Sequence, residues 1–251
     1  MAFLQMNFLS QTLGQSVGVN IILPEKSQQE GFKTLWLLHG LSDDQNTWMR
    51  CTSVERYAKE YALAVVMPCA DRSWYTDTAY GKQYFTFITK ELPHIMAYYF
   101  KGYSPARENN FIMGNSMGGY GALKAALTYP EQYGFCASFS GSVDITRKNL
   151  SYNLEEFRSI FGFDMKTADD LEGTKQDLFA LANEKKDFPF LYMWCGEQDP
   201  LMAANLRFAN HLSALQIPHA FVTSQGHHTW ECWDVQLQKA LAFWQEQTEN
   251  N

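Results

Sequence analysis

Charge is scarce in this chain. Charged residues make up 19% of its 251 residues, and the small acidic excess leaves a net charge of −7. Such a balance keeps a protein soluble and disfavours a general role on nucleic acid or anionic membranes. Basic residues cluster no further than isolated pairs such as Lys185–Lys186. No apolar run approaches the roughly 18 residues that a membrane span needs. The opening segment MAFLQMNFLSQTLG lacks the basic and apolar regions of a signal peptide, so a cytoplasmic location is expected. The five cysteines (Cys51, Cys69, Cys136, Cys195, Cys232) are odd in number and scattered, with no CxxC pair. That removes the basis for a zinc ribbon or thioredoxin chemistry, and reduced thiols are expected. Internal repeats are missing, and the polar tail EQTENN is the only biased tract.

Apolar residues are plentiful, at 46%, and aromatics reach 15%. Most of those rings are expected in a core. SVGVNIIL (16–23) alternates and reads as a strand, with 3–9 a candidate partner. Short apolar runs follow: TLWLLH (34–39), ALAVVMP (62–68), NFIMG (110–114), FCASFS (135–140), FLYMWC (190–195) and HAFVTS (219–224). Helix-length stretches separate them at 53–61, 83–101, 116–129, 200–214 and 230–246. Continuous apolar strands alternating with helices mark a mostly parallel sheet covered on both faces. The expectation is one α/β domain over residues 1–251. A charged break at 143–187 reads as a largely helical insertion over one end of the sheet; one long crossover helix is the alternative.

The sharpest local signal is Gly114–Asn115–Ser116–Met117–Gly118, placed between a strand and a helix. This G-x-S-x-G pattern needs its glycines because a Cβ on either flank would strike the neighbouring strand or helix. The tight turn lifts the serine oxygen above the sheet and aims the helix N-terminus at a developing oxyanion. Ser116 is therefore the candidate nucleophile. A serine hydroxyl needs a base, and the base needs an acid; in this arrangement they follow in the order Ser, Asp or Glu, His. Downstream, His211 sits mid-helix and His219 opens a strand, both structural placements. His227 and His228 occupy the turn before the last helix, and position alone does not separate them. Glu197 and Asp199 follow the penultimate strand; Asp199 is preferred for its shorter side chain, although it also reads as a helix cap. Oxyanion donors are expected from the N–H of Met117 and, in LLHGLSDD (37–44), the N–H of Leu41, with His39 a structural hydrogen-bonding residue.

With these pieces in place the chain resembles the esterase D and tributyrin esterase family of α/β-hydrolases, near S-formylglutathione hydrolases and feruloyl esterases. The resemblance covers most of the chain. It rests on LLHGLSDDQNTW (37–48), residues 67–93, GNSMGGYGALKAAL (114–127), FSGSVD (139–144), CGEQDPL (195–201) and GHHTWECWD (226–234). It implies an α/β-hydrolase fold and a serine carboxylesterase that hydrolyses short acyl esters through an acyl-enzyme, without cofactor or metal. The G-x-H-x-W pattern resembles that of known esterases and makes His228 the preferred base, with His227 beside it. WYTDTAYG (74–81) is expected to border the pocket, with Trp74 and Tyr75 as candidate walls. The partner expected is a small-molecule ester, and a homo-oligomer is compatible with the sequence. The HGLSDD stretch differs from the SGLTC-like segment associated with S-formylglutathione hydrolases, which sets that activity as an alternative. Carbohydrate or feruloyl esterase, acyltransferase and silent binding module are the remaining alternatives.

Overall fold

A computed structural model describes residues 1–25, 31–147, 153–184 and 186–249. Lys185 and residues 148–152, inside the long charged break, lie outside it, as does the end of the polar tail. The strands are β1 (Ala2–Ser10), β2 (Gln15–Leu23), β3 (Lys33–Leu38), β4 (Leu63–Pro68), β5 (Asn110–Asn115), β6 (Phe135–Phe139), β7 (Phe190–Gly196) and β8 (His219–Ser224). They form an 8-stranded sheet in the order β1-β2-β4-β3-β5-β6-β7-β8. β1 pairs with β2, and β2 with β4, in antiparallel fashion; every later pair is parallel. The apolar runs read from the sequence are these strands, within a residue or two at each end.

The central strands β3 to β7 are buried on both faces, and the side-chain period of two divides their residues between two cores. Trp36, Leu38, Ala64, Val66, Ile112, Leu191 and Met193 face one core; Leu35, Leu37, Val65, Phe111, Met113, Tyr192 and Trp194 face the other. The second core is closed by α1 (Thr47–Cys51), α2 (Val54–Glu60) and the long C-terminal helix, which contributes Trp233, Leu237, Leu241 and Trp244. The first is closed by α3 (Tyr84–Thr86), α4 (Leu92–Tyr99), α5 (Met117–Thr128), α6 (Leu154–Phe161), α7 (Leu178–Ala182) and α8 (Met202–Ala214). The C-terminal helix, α9, spans Trp230–Glu249. Among the described residues no helix is long and apolar enough to cross a membrane.

Two details depart from simple helices. The stretch expected as one helix at 83–101 contains a π turn, Phe87–Glu91, between α3 and α4. Pro93, which has no N–H to return to residue 89, is the second residue of α4 just beyond that turn, and the wider turn accommodates the missing bond. The described part of 143–187 holds two short helices, α6 and α7, together with 3-10 turns at Ile145–Arg147 and Ala168–Leu171. α6 is tied to the loop after β4. The N–H groups of Ala79 and Tyr80 donate to Ile160 and Ser159, and Arg72 pairs with Glu156. Trp74 packs edge-on to Phe157.

Lys124 is the unusual resident of the first core. It is 2% exposed, and its Nζ donates to the Tyr75 carbonyl, Thr76 Oγ1 and Gln176 Oε1. Burial lowers its pKa to about 7, opposed by the nearby Asp77 carboxylate. In the unfolded chain a lysine holds its proton to about pH 10.4, so between these values the unfolded state binds more protons than the folded one. Stability from this group therefore rises with pH and levels off below about 7. By linkage, urea denaturation should show the gap between wild type and Lys124→Met shifting by about 2 kcal/mol in favour of wild type from pH 7 to pH 9. A gap independent of pH would show that Lys124 stays charged in the fold.

Candidate active site

The site stands at the carboxyl end of the parallel strands, where β5, β7 and β8 each release a loop. At the end of β5 the chain turns abruptly into α5. Ser116, at the turn, has φ 52° and ψ −115°, a left-handed conformation that costs an ordinary residue on the order of 1–3 kcal/mol. Hydrogen bonds hold it there: the Ser116 N–H donates to the Phe139 carbonyl at 2.9 Å, and the Ser116 carbonyl accepts from Ser142 at 3.1 Å. The glycines around it are needed for space. A Cβ on Gly114 would stand 2.5 Å from the Gly118 backbone, and one on Gly118 2.3 Å from the Leu38 carbonyl oxygen.

His228 and Asp199 converge on this serine. His228 Nε2 lies 2.9 Å from Ser116 Oγ, and His228 Nδ1 lies 2.9 Å from Asp199 Oδ2. With a carboxylate on the Nδ1 side, the proton belongs on Nδ1, and Nε2 is left to accept from the serine hydroxyl. Burial works against a charge on Asp199, but hydrogen bonds from His228, the Leu201 N–H and Ser140 outweigh it and hold its carboxyl below the usual range. The cap reading of Asp199 also has a place, since Oδ1 accepts from the Leu201 N–H at 2.8 Å while Oδ2 faces His228. Glu197 and His227 are exposed.

The acid and base loops are joined to one another. The Glu197 N–H donates to Ser224, the Gln198 N–H to Gly226, and the Gly226 N–H to Gln198 Oε1. Gly196 permits this contact, because a Cβ there would come within 2.3 Å of the Gly226 carbonyl oxygen. Two further residues hold the pair, and the sequence reading passed over both. The Ser140 hydroxyl favours the charge on Asp199 and accepts from Trp233 Nε1 at 3.2 Å. The Trp233 ring meets the His228 ring edge-on, with centroids 4.9 Å apart. Trp233 in turn stands against Trp230, which stands against Trp48. The signal was present in FSGSVD, a small-residue turn directly after a buried strand.

Of the two expected oxyanion donors, one follows Ser116 directly in the chain and the other follows Gly40, on which a Cβ would stand 3.6 Å from Ser116 Cβ. Met117 opens α5, and Leu41 lies in the turn after β3; no protein acceptor meets either N–H among the described residues. His39 is 1% exposed and its ring is doubly bonded, to the Gly40 carbonyl through Nδ1 and from the Ala70 N–H through Nε2. Burial pushes its pKa down, so it is a neutral structural histidine. Trp74 and Tyr75 are 2% and 1% exposed. The structure does not bring their rings to the open side of the site: Trp74 faces Tyr120, Phe157 and Phe161, and the Tyr75 hydroxyl donates to the His39 carbonyl. His211 and His219 bond to backbone carbonyls of Phe179 and Ile217. No group of three or more His, Cys, Asp or Glu side chains able to hold a metal occurs among the described residues.

A serine, a histidine and a buried carboxylate in hydrogen-bonded series on an α/β sheet are the arrangement of a serine hydrolase. The chain matches the family model described as putative esterase over residues 10–244, and it belongs to that family. It is an enzyme of the carboxylic ester hydrolase type. An acetyl esterase of Caldicellulosiruptor saccharolyticus is 29% identical over 265 residues, covering 97% of this chain and 98% of that one. The substrate-bound structure of fluorophosphonate-binding serine hydrolase F from Staphylococcus aureus is 35% identical, with a TM-score of 0.89 over 97% of this chain and 98% of that chain. The apoenzyme of an S-formylglutathione hydrolase from Staphylococcus aureus is likewise 35% identical, with a TM-score of 0.87 over the same shares.

The contacts to Ser116 separate the two adjacent histidines. His228→Ala should abolish labelling by a fluorophosphonate probe, whereas His227→Ala should label at a rate within about twofold of wild type. The reverse pattern would move the base to His227.

Proposed function

We propose that Ser116, His228 and Asp199 form a catalytic triad that hydrolyses short-chain acyl esters. The observation that carries this reading is the unbroken series from Ser116 Oγ through the imidazole to the carboxylate, each link 2.9 Å long. As Ser116 Oγ bonds to the ester carbonyl carbon, its proton passes to His228 Nε2. Asp199, already ionised, holds the ring and stabilises the imidazolium. The carbonyl oxygen becomes an oxyanion between the N–H groups of Leu41 and Met117, which are fixed in place before the charge develops. His228 then protonates the alcohol as the C–O bond breaks, leaving acyl-Ser116. Water attacks this ester, giving one proton to His228, and the acid leaves as the proton returns to Ser116. No cofactor takes part.

Acetyl and formyl groups, named for the two relatives above, are both small, and this supports a small acyl group here. A thioester substrate is the second reading. It is favoured by the relationship to the S-formylglutathione hydrolase at 35% identity. The cytoplasmic location expected from the sequence suits either substrate.

Ser116→Ala should lower kcat for p-nitrophenyl acetate by about 10⁴-fold or more while leaving thermal stability near wild type. Turnover near wild type would refute the triad. Across p-nitrophenyl esters of two to eight carbons, acetylated sugars, feruloyl esters and S-formylglutathione, kcat/KM should be highest for the shortest acyl groups. A preference for S-formylglutathione over acetyl esters by tenfold or more would select the thioester reading.

A further inference from the structure

The two oxyanion donors are oriented by different means. Met117 belongs to the first turn of α5, and the peptide before it is fixed through the Ser116 carbonyl by Tyr120 and Ser142. Leu41 has no helix to orient it. Its N–H shares a peptide with the Gly40 carbonyl, which accepts from His39 Nδ1 at 2.8 Å and from the Asp43 N–H at 3.3 Å. In a trans peptide the carbonyl and the N–H point in opposite directions, so drawing the Gly40 oxygen inward turns the Leu41 N–H outward. The peptide before it is held at both ends as well. The Gly40 N–H donates to Asp43 Oδ2 at 3.1 Å, and the His39 carbonyl accepts from the Tyr75 hydroxyl at 2.9 Å.

Tyr75 is the member of this set that reaches the nucleophile-bearing helix. Its ring occupies the space that Gly121 of α5 leaves open; a Cβ on that glycine would lie 2.4 Å from the ring. Its carbonyl accepts from Lys124 Nζ at 3.2 Å, also on α5. Its backbone takes φ 46°, and its side chain is buried among neighbours that leave the hydroxyl a single acceptor.

We propose that Tyr75 is a positioning residue for the oxyanion hole, a strut from α5 to the His39–Gly40 peptide that keeps the Leu41 donor aligned with the Met117 donor. The inference rests on the acyl-transfer reading and adds to it a residue that touches neither substrate nor triad. The strut acts on charge that exists only in the transition state, so its loss falls on kcat and leaves KM nearly alone. Removing an oxyanion donor outright costs about 10²–10³ in kcat, and misaligning one costs less, about tenfold.

The test is Tyr75→Phe in the full chain, which keeps the ring and removes the hydroxyl, with Gly121→Ala as a second variant that displaces the ring. Each should lower kcat for p-nitrophenyl acetate by about tenfold with KM within about twofold. Each should also weaken an aryl trifluoromethyl ketone, whose adduct with Ser116 bears an oxyanion, by the same factor as kcat/KM. The fraction of protein labelled by excess fluorophosphonate should stay complete. Unchanged kcat in Tyr75→Phe, or a loss of rate matched by a loss of labelled fraction with unchanged ketone affinity, would overturn the strut. Wild type that neither hydrolyses the ester nor labels would bring down the acyl-transfer reading itself, and the strut with it.

Discussion

The site depends on one close approach between backbones. α5 begins so near the end of β3 that the Leu38 carbonyl occupies the space where a side chain of residue 118 would stand. Only glycine permits this at 114 and 118, and the approach places Ser116 at the rim of the sheet. It also sets the segment after Leu38, which holds the Leu41 N–H proposed as one oxyanion donor, beside the first turn of α5, which holds the Met117 N–H proposed as the other. The strained backbone of Ser116 is held by bonds from the β6 end, through Phe139 and Ser142. Three neighbouring strands thus fix one serine.

Burial assigns different work to chemically similar groups around this point. His39 and His228 both bond through two ring nitrogens. His39 lies in the interior between a carbonyl and an amide, stays neutral and orders a loop. His228, with a carboxylate on one side and a hydroxyl on the other, has the surroundings of a base. Asp199 keeps its carboxyl below the usual range despite burial because the bonds from His228 and the Leu201 N–H favour its charge. Lys124 is opposed by burial without a carboxylate bonded to it, and its pKa falls to about 7.

Much of this was legible in the sequence because it follows short-range rules. The apolar runs became strands because a sheet covered on both faces needs no polar alternation. The elbow could be read because its glycines and serine lie within five residues, directly between a strand and a helix. What remained hidden depends on contacts between distant segments. His227 and His228 are neighbours in the chain, and only the seam between Gly196 and Gly226 turns one toward Ser116 and the other to solvent. Ser140 carries no pattern of its own; its role exists because Trp233 and Asp199 arrive from elsewhere. Trp74 and Tyr75 resembled pocket walls because a loop gives no periodicity from which to read direction. Their left-handed backbones, φ 52° and 46°, turn both rings into the fold.

The separation of 112 positions between Ser116 and His228 has a consequence for how activity first appears. During synthesis the bonds that hold the Ser116 turn are complete once β3, β5, α5 and the end of β6 are made, but the histidine proposed as its base follows β8, at the far edge of the sheet. Trp233, against which His228 rests, emerges later still. On the proposed triad, a chain made only as far as β6 therefore carries the strained serine without the histidine that would take its proton.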